Sequence, residues 1–160
     1  LSPFQFGILR FPQKGLSFTN GLYERYAGFN KFELVFANAL DKVGNIWHRN
    51  PSSGGYDIPL LSEVDTASFF PCFIVWKRTL VYFFYTKGVH LLTDAVARKL
   101  FDIQDHGKTK VLVRFITEGK QTKLREKATR GGYTVWKMKS GSPTPIHMAD
   151  LDKAVKECLR

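Results

Sequence analysis

The strongest hydrophobic pattern in the chain is a pair of apolar runs separated by three polar residues. Residues 69–76 (FFPCFIVW) and 80–86 (LVYFFYT) consist mainly of aromatic and β-branched side chains, and the letters KRT lie between them. Runs of this length without regular polar alternation are typical of strands that are buried on both faces. The pattern therefore predicts a tight hairpin at the centre of a β-sheet.

Three amphipathic helices are predicted from apolar positions that recur three and four residues apart. The first follows Asn30 and continues to about residue 42, and the second follows Thr93 and covers 94–101. Asn and Thr are both favourable helix N-caps, because their side chains accept hydrogen bonds from the first turn. The third helix covers 149–159 at the end of the sequence.

Weaker patterns complete the predicted fold. Further strands are expected at 46–49, 110–116 and 133–138. Residues 121–127 predict a short exposed helix, and 1–28 predict an irregular lead-in with a short strand near 16–19. The rest of the chain, 29–160, is expected to form a single domain. The order of helices and strands predicts an α/β fold with a mixed central sheet flanked by helices.

Positive charge is concentrated in the second half of the chain. The net charge at pH 7 is +10, with 24 Lys and Arg against 14 Asp and Glu. Residues 108–139 contain ten basic residues, among them Lys120, Lys123 and Arg125, and only two acids. Such an excess favours a polyanionic partner, and nucleic acid is the usual one. A solvated basic surface without a partner is the alternative.

The cysteines and the apolar runs indicate the compartment. Cys72 and Cys158 lie far apart and neither is surrounded by residues at metal-ligand spacing. They therefore predict neither a disulfide framework nor a zinc site, and a reducing cytoplasm fits best. No apolar run approaches the roughly 18 residues of a membrane span, so we expect no membrane partner.

Six short motifs occur in an order that resembles a known family. They are WHRNP at 47–51, FPCFIV at 70–75, TKG at 86–88, HLLTDAVARKL at 90–100, RFITEG at 114–119 and GGYTVWK at 131–137. The series resembles the PD-(D/E)-x-K nuclease domain at the C-terminus of type III restriction enzymes and related DEAD-box helicase-nucleases. The resemblance implies a restriction-endonuclease-like fold and DNA as a partner. It also implies a helicase motor domain, in a longer chain or in a partner subunit.

The resemblance further implies a Mg²⁺ site for phosphodiester hydrolysis, built from two strand carboxylates, a lysine and a helix glutamate. Lys87 and Glu33 match that pattern, but Cys72 and Tyr85 stand at the two carboxylate positions. A thiol is a soft ligand that suits Mg²⁺ poorly, and tyrosine is neutral at pH 7. We therefore expect a DNA-binding domain in which hydrolysis is lost or impaired, with Glu33 as the remaining metal ligand.

Two other functions stay open. The chain is an active endonuclease if Glu33 acts with a relocated acid such as Asp57 or Asp65, and it is a scaffold for other proteins if it does not bind DNA. Residues 48–50 (His48, Arg49 and Asn50) are predicted to lie beside the site. They either contact a DNA phosphate or only form the turn that an Asn-Pro pair favours.

Overall fold

A six-stranded mixed β-sheet forms the centre of the fold. The structure, a computed structural model, describes residues 15–51, 58–61, 66–86, 92–101 and 110–160. Its elements are β1 Leu16–Ser17, β2 Arg25–Tyr26, α1 Lys31–Val43, β3 Ile46–Arg49, β4 Ile58–Leu61, β5 Thr66–Phe69, β6 Phe73–Lys77, β7 Leu80–Tyr85, α2 Asp94–Phe101, β8 Lys110–Lys120, β9 Thr129–Lys139, β10 Ser142–Met148 and α3 Leu151–Cys158.

The strands of the large sheet follow the order β10-β9-β8-β7-β6-β3. Every neighbouring pair is antiparallel except β7 and β8, which are parallel. Parallel strands need a long crossover connection, and α2 lies in the connection between these two. The strands β1–β2 and β4–β5 form two separate antiparallel pairs. The predicted α/β fold with a mixed central sheet flanked by helices is confirmed.

Hydrophobic cores lie on both faces of the large sheet. Along β7, Tyr82 and Phe84 belong to the first core, which also contains buried residues of α1 and α3. Val81, Phe83 and Tyr85 belong to the second core, which contains buried residues of α2. Successive side chains of a strand point to opposite faces, and apolar residues at every position of β7 therefore supply both cores.

Several boundaries differ from the sequence-based prediction. The run 69–76 is not one strand, because β5 ends at Phe69 and β6 begins at Phe73, with Pro71 between them. Proline has no N–H to donate to a strand ladder, which favours the break. Residues 121–127 form turns and not a helix, and β10 is an additional strand that the sequence did not predict.

The described part of the predicted lead-in is attached to the domain by Asp41 of α1. Its carboxylate accepts hydrogen bonds from the backbone N–H groups of Thr19 and Asn20 at 3.0 and 2.7 Å. It also accepts one from the indole N–H of Trp47 at 3.1 Å. Tyr26 stacks on Trp47 with 5.0 Å between ring centroids. Residues 15–28 are therefore anchored to β3 by both polar and aromatic contacts.

Within the described ranges, none of the helices has the length and apolar character needed to cross a lipid bilayer.

We expect Asp41→Asn to lower the free energy of unfolding by about 1–3 kcal/mol, because an amide N–H₂ replaces one of the two carboxylate oxygens and the N–H group bound by that oxygen loses its acceptor. Chemical denaturation followed by tryptophan fluorescence measures the change. Glu24→Gln is the matched control, since Glu24 lies in the same segment and is exposed. The anchoring role of Asp41 is contradicted if both variants are as stable as the unaltered chain.

Candidate functional site

The residues at one end of the large sheet come from three neighbouring strands. The backbone N–H of Asn50, just after β3, donates to the carbonyl of Cys72 at 2.9 Å. The N–H of Cys72, just before β6, donates to the carbonyl of Phe84 in β7 at 2.7 Å. The backbones of Arg49, Asn50, Cys72 and Tyr85 are therefore brought to the same end of the sheet. Lys87, His90, Asp57, Glu63 and Asp65 lie outside the described residues.

Cys72 and Tyr85 do not face a common pocket. Cys72 is partly buried against the first core, and its sulfur accepts a hydrogen bond from the N–H of Thr86 at 3.4 Å. Tyr85 is buried in the second core and meets Phe115 edge to face at 5.7 Å. The expectation that neighbouring strands deliver both side chains into one site is wrong. Cys72 lies in a bend before β6, so the alternation of the strand does not fix its direction.

Glu33 is occupied by two structural contacts at the start of α1. Its carboxylate accepts the N–H of Asn30, whose side chain in turn accepts the N–H of Glu33, which completes a capping box. The guanidinium of Arg49 donates to the same carboxylate oxygen at 3.0 Å. The Glu33 side chain is only 3% exposed and that of Arg49 20%. The pair is thus a nearly buried ion pair at a helix N-terminus.

Arg49 makes further contacts that direct it into the protein. Its guanidinium donates to the carbonyl of Gly28 at 3.0 Å and lies over the ring of Phe29, 5.2 Å from the centroid. Its role is therefore to neutralise Glu33 and to fasten the chain just before α1. The structure does not present Arg49 as an outward-pointing phosphate contact.

His48 and Asn50 are also internal. Nδ1 of His48 lies 3.0 Å from the hydroxyl of Tyr26, and the His48 side chain is buried. Burial, and then the charge of Arg49, lowers the pKa of His48 from 6.5 to about 4, so the imidazole is neutral at pH 7. The side-chain amide of Asn50 donates to the carbonyl of Pro71 at 2.9 Å. Both side chains therefore join neighbouring segments of the chain at this end of the sheet.

The donor set that the described residues supply at this edge does not fit Mg²⁺. Magnesium requires charged oxygen ligands in near-octahedral geometry, but the carboxylate of Glu33 is paired with Arg49 and the neighbouring Cys72 offers sulfur. Tyr85 faces the other core. In the part of the chain that the structure describes, no group of three or more His, Cys, Asp or Glu side chains is placed to hold a metal ion.

The second face carries a different feature, a basic segment that we define as residues 120–130. Lys120, Lys123 and Arg125, which are predicted to contact DNA together with His48, Arg49 and Asn50, are all exposed on it. Lys127 and Arg130 are exposed as well, and Glu126 is the single acid of the segment. The structure thus presents five cations to solvent over one short connection.

Gln121 fixes the path of the basic segment. Its buried amide N–H₂ donates to the carbonyls of Leu124 and Glu126 at 2.9 and 3.0 Å, and its carbonyl oxygen accepts the indole N–H of Trp136 at 3.1 Å. Leu124 is buried in the second core. These contacts replace helical hydrogen bonds, which explains why the predicted helix at 121–127 is absent. Gln121 could not be identified from the sequence, because a single glutamine after a strand carries no recognisable pattern.

A groove of about 590 Å³ lies between the basic segment and the start of α2. Its lining comprises Thr93, Thr122, Lys123, Leu124, Arg125, Trp136 and Pro143. Thr93 lies on the connection that leaves β7, and 122–125 follow β8, so the groove opens beside the carboxyl ends of the parallel pair. Ligands of open α/β sheets commonly bind at such ends.

Comparison with protein-family models, with curated proteins and with solved structures found no match. The likeness to PD-(D/E)-x-K nucleases therefore depends on the sequence motifs, and what it implies for function is a proposal.

The pH dependence of stability should show the contribution of His48. Because its pKa is lowered to about 4 in the folded chain, the unfolded chain binds a proton between pH 6.5 and 4 that the folded chain does not. The contribution of His48 to the free energy of unfolding should therefore decrease by about 3 kcal/mol as the pH is lowered through this range.

Urea denaturation of the unaltered chain and of His48→Gln, measured at several pH values, isolates this contribution. Carboxyl groups titrate in both proteins, so the difference between the two curves belongs to His48. If the free energy of unfolding changes with pH by the same amount in both proteins, His48 is not held in its neutral form.

The ion pair of Glu33 and Arg49 can be tested by removing its two charges in turn. Arg49→Met leaves the Glu33 carboxylate buried without its cation and should lower stability by about 3 kcal/mol. Adding Glu33→Gln should restore part of the loss, because glutamine still accepts the N–H of Asn30 but carries no charge. Thermal or chemical denaturation of Arg49→Met, of Glu33→Gln and of the double variant measures the coupling. Strictly additive losses would contradict a direct interaction.

Proposed function

We propose that this chain is a DNA-binding domain related to the nuclease domain of type III restriction enzymes, in which Mg²⁺-dependent phosphodiester hydrolysis is lost or impaired. The observation that supports it most strongly is the exposed basic segment beside the carboxyl ends of β7 and β8. The resemblance of the sequence motifs supplies the link to nucleases. A helicase motor domain, in a longer chain or in a partner subunit, is part of the same proposal.

The charge of the basic segment supports DNA binding over a merely solvated surface. Its five cations lie on a connection that Gln121 and the buried Leu124 hold in one path. A backbone that is already held in one path loses less conformational entropy when a phosphate binds than the backbone of an unconstrained loop. Neutralising phosphates also releases condensed counterions from DNA, which favours association at low salt.

The state of the expected catalytic residues supports the loss of hydrolysis. Glu33 would have to leave Arg49 and its capping contacts before it could bind a metal ion. Cys72 supplies a soft sulfur ligand, and Tyr85 contributes to the second core on the other face. The chain therefore combines a surface suited to phosphate with catalytic positions suited to packing.

We expect the chain to bind duplex DNA with an affinity that falls steeply as salt rises, and not to cut plasmid DNA in Mg²⁺. Lys120→Ala with Lys127→Ala should weaken duplex binding and lower the slope of log affinity against log salt by roughly 0.9 for each phosphate that the variant no longer neutralises. Fluorescence anisotropy measures the binding, and agarose electrophoresis measures the cutting.

Lys153→Ala with Lys156→Ala is the matched control. Both lysines are exposed on α3, on the opposite face of the sheet, so the net charge changes equally without altering the basic segment. If the two double variants lose the same affinity for duplex DNA, binding depends only on the net charge of the protein. Robust Mg²⁺-dependent cutting that Lys87→Ala abolishes would overturn the proposed loss of hydrolysis.

A further inference from the structure

We propose that the groove between the basic segment and α2 binds one unstacked nucleotide of single-stranded DNA. Its base would lie on the apolar floor and its phosphate between Lys123 and Arg125. This inference depends on the proposed DNA-binding function and refines it, because it names the form of DNA that the site accepts. Lys123 and Arg125 are thereby assigned to a defined cavity and not only to a charged surface.

The dimensions of the groove suit a nucleotide. Sites for small ligands enclose roughly 300–1,000 Å³, and the groove encloses about 590 Å³. In a continuous duplex the bases are stacked inside the helix, so an intact duplex can offer the groove only sugar and phosphate. A base enters such a cavity only when it is unstacked, as in a single strand or at an open end.

The polar wall of the groove suits a phosphate group. Lys123 and Arg125 both line it, and the planar guanidinium of arginine can donate two parallel hydrogen bonds to phosphate oxygens. The ion pair of Lys123 with Glu126 spans 3.9 Å between two largely exposed side chains. Such pairs contribute little, so a phosphate can replace the carboxylate at small cost.

The start of α2 adds to the same wall. The Thr93 hydroxyl accepts the N–H of Val96 at 3.2 Å, which places Thr93 at the N-cap of the helix. The positive end of the helix dipole therefore points toward the groove that Thr93 lines. This partial charge supports the two cations but would not define a site without them.

The floor of the groove suits a base. Leu124 and Trp136 lie beneath the groove in the second core and are only 3% and 2% exposed, whereas Pro143 of the edge strand β10 is partly exposed. The indole N–H of Trp136 is already bound by Gln121 and is therefore not an unsatisfied donor beneath the groove. A base can lie across Pro143 and the aliphatic stems of Lys123 and Arg125 whatever its hydrogen-bonding pattern, which predicts tolerance of sequence.

Fluorescence anisotropy with three probes tests the inference: a labelled oligothymidylate, the same strand with abasic sugars, and a duplex of equal length. The unaltered chain should bind the oligothymidylate more tightly than either other probe. Lys123→Ala with Arg125→Ala should weaken oligothymidylate binding at least about ten-fold, because the variant cannot form charge-assisted hydrogen bonds to phosphate. The salt slope should fall by roughly 0.7 for each phosphate that is no longer neutralised.

Two comparisons complete the experiment. Lys153→Ala with Lys156→Ala should bind oligothymidylate like the unaltered chain, and circular dichroism should show that both double variants are folded. Thymidine monophosphate should compete with the oligothymidylate only weakly, because it lacks the flanking phosphates that reach the rest of the basic segment. Competition as strong as that of the intact strand would show that the site serves free nucleotides instead, and would overturn the inference.

The remaining outcomes separate this inference from the proposed function. Tight, salt-dependent binding of duplex without a preference for the single strand would overturn the nucleotide groove and leave DNA binding intact. Equal affinity for abasic and normal strands would overturn the assignment of the apolar floor to a base. Failure to bind any of the three probes would overturn both.

Discussion

The parallel pairing of β7 with β8 is the constraint on which the rest of this structure depends. The chain cannot join two parallel strands by a hairpin, so it crosses the sheet, and α2 lies in that connection. The sheet thereby acquires a second core, distinct from the one that α1 and α3 cover. The connection also brings Thr93 and the segment after β8 to the same end of the sheet, where the groove forms.

Among the described residues, the edge near Glu33 holds one buried carboxylate. Several carboxylates placed together raise one another's pKa unless a cation compensates their charge, which is why a metal normally accompanies them. Here the single carboxylate of Glu33 is balanced by Arg49, by the N–H of Asn30 and by the N-terminus of α1. In the described part of the chain, the charge of Glu33 is therefore compensated by Arg49 and by backbone N–H groups.

Elements that follow from periodicity and composition could be predicted from the sequence, whereas those that depend on a tertiary contact could not. The central strands, the Asn30 cap of α1 and the α/β class followed from local patterns. The strand β10 contains Pro143 and Pro145, which normally argue against a strand, although an edge strand tolerates them. The positive charge of the basic segment is evident from the sequence, but the path of its backbone depends on hydrogen bonds of Gln121. The face of the sheet to which the Tyr85 side chain points could not be predicted, because every residue of β7 is apolar or aromatic.

The proposed function, in which hydrolysis is lost and DNA binding is kept, depends on how the residues are divided between the two faces of the sheet. Glu33 caps α1, which covers the first core, and Cys72 packs against that core, whereas the basic segment and its groove are built on the second. Substitutions at sites without shared partners have nearly additive effects, and this condition holds for Glu33 and Cys72 on the side of the first core. Tyr85 differs, because it lies in the second core together with Leu124 and Trp136, which line the groove. Under the proposed function, a residue that packs at position 85 thus supports the side of the sheet that carries the cations.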